Sequence, residues 1–270
     1  MKPRHFTFPY VGWMAVFVVA PIILVIIYAF TTSGGAPTLM NFSAMIGYTS
    51  VFIRSFWLSA ISTIICIIFG YPIAYILSRE GIRMQRIMIM LIMLPMWMNF
   101  LLRTYAWMSI LENTGLLNRF LTLIGLPTIR IINTQAAVVI GMVYNFLPFM
   151  ILPIYSVIVK IDRSLIEAAQ DLGASSAVVF RKLILPLSLP GVLSGITMVF
   201  VPGVSTFVIS QLLGGGKDML LGDLIELQFL GAAYNPQLGS AISLVMMVIV
   251  MVFMYVMNRF GEGEERAVTL

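Results

Sequence analysis

Few residues in this sequence could carry out chemistry, and those few do not form a catalytic set. His5 is the only histidine and Cys66 the only cysteine, which argues against a zinc site or a histidine-based triad and excludes an internal disulfide. The segment 214–218 (GGGKD) resembles a phosphate-binding loop, but Asp218 occupies the position that requires serine or threonine. We therefore predict that the chain is not an enzyme and holds no metal.

The composition predicts an integral membrane protein. Of the 270 residues, 60% are hydrophobic and 10% are charged, whereas soluble domains carry about 25% charged residues. Six apolar segments have about the 20 residues needed to cross a hydrocarbon core about 30 Å thick. We predict one all-α transmembrane domain over residues 1–270, with spans at residues 11–30, 56–77, 87–107, 136–159, 187–212 and 238–257.

The basic residues predict the orientation of these spans. With the N-terminus inside, the cytoplasmic segments hold eleven of the 16 Lys and Arg residues and the outer segments hold four. Cytoplasmic loops normally carry this excess. We therefore expect both termini in the cytoplasm, together with the polar segment 162–186. The basic residues lie in short clusters between apolar runs, which fits membrane topology better than nucleic acid binding.

The polar segment 162–186 is predicted to form two short helices joined by a turn. Ser164 and Glu167 have the spacing of a capping box, so Ser164 should cap a first helix that runs from Leu165 to Leu172. Gly173 stands where the end of a helix favours a left-handed residue, and a second helix should start at Ser175 or Ser176. The surface expected to be exposed consists of Leu165, Ile166, Ala169 and Leu172. It could lie in the headgroup layer or dock a cytoplasmic partner.

The same segment resembles the EAA loop of bacterial ABC importer permeases. Glu167-Ala168-Ala169, Gly173, Leu183 and Leu185-Pro186 match its spacing, although that loop usually has isoleucine in place of Leu183. Other stretches, such as LPMWMNFLLRTYAW and VVIGMVYNFLPFMILPIYSVI, are similar to the permeases of bacterial spermidine/putrescine importers.

This resemblance implies the type I importer permease fold in a bacterial inner membrane. It also implies a second related permease, two cytoplasmic ATPase subunits that bind ATP and Mg²⁺, and an extracytoplasmic polyamine-binding protein. The residues that it places against the ATPase subunits are Leu165, Glu167, Ala168, Ala169, Leu172 and Gly173.

Prolines interrupt three of the predicted spans. Pro95 lies in the third, Pro148 and Pro153 in the fourth, and Pro202 in the fifth. A proline inside a helix frees a backbone carbonyl, which must be satisfied by protein or in a water-lined cavity. Transporters line their substrate path with such broken helices. Kinking that only serves helix packing remains the alternative.

Arg103 is the only basic residue inside a predicted span. A charge in the middle of the bilayer costs roughly 2.5–3.5 kcal/mol. Arg103 follows Ile87 by 16 residues, or about 24 Å of helix. We therefore predict that its side chain extends to the outer interface. The alternative is a role in an outer gate, paired with Glu112.

A polyamine substrate raises a problem of charge, because none of the 11 Asp and Glu residues lies inside a predicted span. Aromatic faces can also bind cations, at about 0.5–2 kcal/mol per contact. We predict an aromatic and amide wall in this chain, with the carboxylates supplied mainly by partner proteins. Asp223 and Glu226 could share one helical face and meet a cation, or form a solvated face. The wall candidates, each of which could also serve packing or the membrane interface, are Trp97, Asn99, Tyr105, Trp107, Tyr144 and Asn145.

Two other functions stay open on the sequence. One is an ABC importer permease for another solute, such as sulfate, iron or a compatible solute. The other is an ion-coupled secondary transporter. That class normally has acidic residues within the membrane, and it gives the segment 162–186 no partner.

Overall fold

The computed structural model describes residues 10–231 and 233–268, and its regular elements in that part are helices. The N-terminal residues that include His5 lie outside the described part. The helices are α1 Tyr10–Ala29, α2 Met40–Met45, α3 Thr49–Arg79, α4 Ile82–Trp97, α5 Phe100–Leu111, α6 Leu116–Leu123, α7 Gln135–Ile158, α8 Arg163–Asp171, α9 Ser176–Ser205, α10 Val208–Gly214, α11 Leu221–Leu230 and α12 Pro236–Val268.

Five helical segments of the described chain are long and apolar enough to cross a membrane, and the count rises to six if α4 and the bent segment formed by α5 and α6 are taken as one span. The first, fourth and sixth segments begin within about two residues of the predicted positions. The second is longer than predicted, because α2 and a short 3₁₀ turn extend it back to Met40.

The third predicted span is not one straight helix. It breaks after Trp97, and the axis turns by 91° between α4 and the following helices. Asn99 begins α5 as its N-cap, where the side-chain oxygen accepts from the backbone N–H groups of Leu101 (2.8 Å) and Leu102 (3.4 Å). Pro95 lies in the last turn of α4, so the break follows it by less than one turn.

The fifth predicted span also differs from the observed helix. Instead of residues 187–212, α9 runs from Ser176 to Ser205, and the chain breaks at Thr206 and Phe207 before α10 begins. Pro202 lies in the last turn of α9. By contrast, α7 continues without a break through Pro148 and Pro153. The prediction that these two prolines interrupt their helix is wrong, because packed membrane helices tolerate internal prolines when the neighbouring elements support the backbone.

The helices α3, α7 and α9 form the centre of the bundle. Small residues allow their backbones to approach closely: a Cβ at Gly191 of α9 would lie 2.8 Å from the Pro153 carbonyl oxygen of α7. Gly195, one turn later, faces α7 in the same way, and Gly203 lies against Ser59 of α3. Lipid is as apolar as the side chains, so close packing of this kind holds membrane helices together.

The bundle has two distinct ends. We call one the basic end; α3, α7 and α8 place there Arg79, Lys160 and Arg163, and the start of α9 adds Arg181 and Lys182. The opposite end carries α6, α10 and α11. Outside the central helices, α12 packs against α1, α9 and α11, whereas α4 has no buried residue. The exposed faces of α1, α4 and α12 are apolar, as surfaces in contact with lipid or another membrane subunit must be.

Candidate coupling surface and substrate path

At the basic end, the segment after α7 forms the short helix α8. Its N-cap is Asp162, whose carboxylate accepts from the Ser164 backbone N–H at 3.0 Å. This hydrogen bond lowers the pKa of the Asp162 carboxyl from its usual value. The predicted capping box of Ser164 and Glu167 is therefore wrong. An aspartate two residues earlier provides the same capping chemistry, and the helix begins at Arg163, two residues sooner than predicted.

The end of α8 agrees with the prediction at Gly173. This residue has φ +81°, in the left-handed region. Its N–H donates to the Gln170 carbonyl at 2.8 Å, and the next N–H, of Ala174, donates to the Ala169 carbonyl at 3.0 Å. These two bonds are those of a Schellman motif, which satisfies the last carbonyls of the helix. The predicted second helix is not separate, since it continues through a π-helical turn into α9.

The two faces of α8 have different environments. Leu165 and Leu172 are 48% and 89% exposed, and Ala168 lies between them on the same face. Ile166 and Ala169 instead pack against the main core. The prediction that all four apolar residues form one exposed surface is therefore wrong for these two, because three-residue spacing puts them on the inner face. The exposed face comprises Leu165, Glu167, Ala168 and Leu172, with Gly173 at its end.

Aromatic contacts connect this region to the bundle. The ring of Phe180, in the π-helical turn before the body of α9, meets Tyr71 and Tyr75 of α3 edge-on at centroid distances of 5.8 and 5.1 Å. The Tyr71 hydroxyl is hydrogen-bonded to Ser188 of α9 at 2.7 Å. The segment after α8 therefore belongs to the same rigid packing as α3 and α9.

Arg103 on α5 turns inward at the helix break. Its guanidinium donates to the Pro95 carbonyl at 2.8 Å and lies 5.8 and 5.9 Å from the ring centroids of Phe100 and Tyr144. Arg103 is buried, so the prediction that its side chain extends to the outer membrane interface is wrong. The side chain turns inward because the last turn of α4 offers the Pro95 carbonyl as a hydrogen-bond acceptor. In the described part of the chain Arg103 forms no ion pair with Glu112.

The structure divides the predicted wall residues into exposed and packed groups. Trp97 is 77% exposed at the end of α4, and Tyr105 is half exposed on α5. Trp107 and Tyr144 instead pack against each other, edge to face, with centroids 5.0 Å apart. Asn145 is buried and donates to the Gly141 carbonyl at 2.8 Å, while Asn99 serves as the helix cap described above. The predicted wall residues therefore fall into an exposed group at the break and a packed group near Arg103.

Asp223 and Glu226 lie on α11, at the opposite end of the bundle. The Asp223 carboxylate caps the helix by accepting from the Leu220 N–H at 2.8 Å. Burial raises the pKa of this carboxyl above its usual value. The Glu226 carboxylate accepts from the side-chain amide of Gln211 on α10. The shared face predicted from their spacing is present, but the sequence prediction missed Gln211, a polar residue near the end of an apolar run.

The helix α11 is held at its place by α3. The Leu221 N–H donates to the Ser55 hydroxyl at 2.7 Å, and Arg54 pairs with Asp218 at 3.2 Å. Gly222 lies so close to the end of α9 that a Cβ would meet the Ser205 carbonyl oxygen. The position of α11 therefore depends on contacts with residues far away in the sequence, and no local pattern indicated them.

Comparison with known proteins decides the family. The family model of the binding-protein-dependent transport system inner membrane component matches residues 6–263. The chain belongs to this family. The spermidine/putrescine transport system permease protein PotB of Haemophilus influenzae is 38% identical over 269 residues, which cover 96% of this chain and 94% of the relative. PotB of Escherichia coli is 37% identical, covering 88% and 90%.

Solved structures agree on the fold of this permease. A bacterial ABC transporter that imports the acidic polysaccharide alginate contains a chain with a TM-score of 0.78 at 17% identity, covering 96% of this chain and 94% of that one. The inward-facing MetNI methionine ABC transporter gives 0.61 at 19% identity, covering 82% and 98%. At such identities the likeness shows the fold alone. The predicted fold class, a helical type I ABC importer permease, is confirmed.

Proposed function

We propose that this permease is the transmembrane subunit of an ATP-driven importer for polyamines. The observation that carries the proposal is the 38% sequence identity with PotB of Haemophilus influenzae over nearly the whole length of both proteins. In this proposal the chain pairs with a second, related permease in the bacterial inner membrane. Two cytoplasmic subunits bind and hydrolyse ATP with Mg²⁺, and an extracytoplasmic protein delivers the polyamine. The permease itself performs no chemistry and only moves the cargo.

The exposed face of α8 supports the ATPase contact. It presents two leucines and an alanine beside Glu167 on a short helix that projects from the basic end. An apolar helical face of this kind fits a groove in a partner protein. When ATP draws the two ATPase subunits together, the force acts on α8. The packing of Phe180 against α3 then tilts the bundle between outward-open and inward-open states.

The helix breaks after Trp97 and Ser205 support a substrate path between them. The short helices that follow the two breaks, α5 and α10, pack against each other at the opposite end. We propose that the exposed Trp97 and Tyr105 contact the cargo, and that Asn99, Trp107, Tyr144 and Asn145 support them from the packed part. The Arg103 guanidinium already lies near the Tyr144 ring. A cationic cargo is therefore not expected to contact the Tyr144 ring directly.

Uptake by intact cells tests the function. Cells that lack their own polyamine importers should take up radiolabelled putrescine or spermidine when they express this chain with its partner subunits. Excess unlabelled polyamine should compete, whereas sulfate, iron and glycine betaine should not. An ATPase subunit should also copurify with the permease. Competition by one of the other solutes would reassign the cargo, and uptake without any ATPase would refute the importer class.

A double variant tests the wall. Trp97→Ala together with Tyr144→Ala should abolish uptake while the protein still inserts into the membrane. Uptake at the unmodified rate would refute the assignment of these residues to the path.

A further inference from the structure

A cavity of about 300 Å³ lies between α10 and α11, outside the wall described above. This volume is at the lower end of the range for sites that bind small molecules. Its polar lining comes from Gln211, Asp223 and Glu226. Its apolar lining comes mainly from the aliphatic side chains Met219, Leu227 and Leu230. The cavity thus combines two acids and an amide with a hydrocarbon surface.

One carboxylate oxygen in this cavity lacks a hydrogen-bond donor. Asp223 is 8% exposed, and its Oδ2 accepts from the Leu220 N–H. Its Oδ1 is fully buried and has no hydrogen-bond partner among the residues that the structure describes. A buried acceptor without a donor is unfavourable, and more so when it is charged. A ligand that brings a donor to this oxygen would remove that cost.

The carboxylates also lack a cationic partner. Within residues 10–231 and 233–268, one ion pair has a nitrogen–oxygen distance below 4 Å. It joins Arg54 to Asp218, in the loop that leads into α11. Glu226 accepts from the neutral amide of Gln211. Asp223 and Glu226 are three residues apart on α11 and both line the cavity. The cavity therefore holds two acidic groups and no base.

We propose that this cavity binds a primary alkylammonium group, the end of a polyamine cargo. An ammonium group has three donors. These donors match three acceptors that line the cavity: Asp223 Oδ1, the Glu226 carboxylate and the side-chain amide oxygen of Gln211. The methylene chain then lies against Met219, Leu227 and Leu230, which offer no oxygen ligand to a hard cation such as Mg²⁺. This inference rests on the proposed function, and it places a cargo-recognition site in this chain and not only in its partners.

Two conservative variants test the site in the assembled importer in proteoliposomes. Glu226→Gln removes one charge and no backbone hydrogen bond. Asp223→Asn keeps an oxygen that can accept from the Leu220 N–H, so the helix cap survives. Each variant should raise the KM for putrescine about tenfold. Glu112→Gln is the matched control, an exposed carboxylate at the same end of the bundle, and should leave KM unchanged.

Competition identifies the ligand chemistry. In the wild-type importer n-butylamine should inhibit putrescine uptake, whereas n-butanol and Mg²⁺ should not. The site assignment is overturned if both folded variants keep the wild-type KM for putrescine, or if the Glu112→Gln control raises this KM as much as they do. It is also overturned if Mg²⁺ competes with putrescine and n-butylamine does not. If Asp223→Asn does not assemble, Glu226→Gln alone decides. If the wild-type importer takes up no polyamine, the proposed function fails, and this assignment fails with it.

Discussion

Gly173 offers a sharp test of the coupling role of α8. Its φ of +81° lies in the left-handed region, yet a Cβ built there meets no atom within 4 Å. Substitution by alanine therefore adds backbone strain without a steric clash. The left-handed conformation costs a residue with a Cβ roughly 1–2 kcal/mol, which corresponds to a factor of about 5–30 in a local equilibrium. A helix of nine residues is marginally stable by itself, so this strain should unwind its last turn.

The expected result is a loss of coupling with the protein otherwise intact. In the reconstituted importer, Gly173→Ala should lower the cargo transported per ATP hydrolysed by up to about 30-fold. Gly173→Asn should lower the cargo transported per ATP less than Gly173→Ala does, because asparagine tolerates the left-handed region better than alanine. Gly173→Asp adds a negative charge at the negative end of the helix dipole, which costs a further 0.3–1 kcal/mol, roughly. Expression and membrane insertion should not change in any of these variants.

Gly125 supplies the matched control. It has φ +78° and an equally open environment, but it follows α6 at the opposite end of the bundle. Gly125→Ala thus introduces the same strain far from α8 and should leave transport per ATP unchanged. The reasoning is refuted if Gly173→Ala and Gly173→Asp both transport normally, or if Gly125→Ala is equally uncoupled.

Three further predictions concern packing and topology. Gly191→Ala should destabilise the detergent-solubilised protein by about 1–3 kcal/mol in a thermal unfolding assay. Gly195→Ala should destabilise it less, because a Cβ at Gly191 meets a backbone carbonyl, whereas a Cβ at Gly195 meets chiefly a flexible methionine side chain. Equal losses of stability would contradict this packing. Asn118→Ala should make the chain between α6 and α7 sensitive to limited proteolysis. The buried side-chain amide donates to the carbonyls of Asn113 and Ile129 and accepts from the Ile129 N–H, and a buried group that loses its partner costs about 1–3 kcal/mol. Unchanged cleavage would show that this loop is held by other contacts. A membrane-impermeant maleimide should label the Leu172→Cys variant only in inside-out vesicles, and the Leu123→Cys variant only in intact cells or right-side-out vesicles. Both positions are more than 80% exposed, and the native cysteine is buried and should not react. The reverse labelling pattern would invert the predicted topology.

Part of the site could be predicted from local sequence. The turn at Gly173 follows from the helix before it, and the shared face of Asp223 and Glu226 follows from their spacing. The assignment of faces on α8 could not be completed, because Ile166 and Ala169 are partly buried against core residues from other parts of the chain. Gln211 lay within a predicted span, and only the break after Ser205 turned it toward Glu226.

The sequence by itself determined the membrane class, the six apolar segments and the family, because segment length, hydropathy and motif spacing are properties of neighbouring residues. Only the tertiary structure decided where the third and fifth segments break, which carbonyl the Arg103 guanidinium meets, and which carboxylate oxygen remains without a donor. These outcomes depend on groups brought together from distant parts of the chain. The free energy of a buried charge or hydrogen bond is set by those neighbours and not by its own place in the sequence.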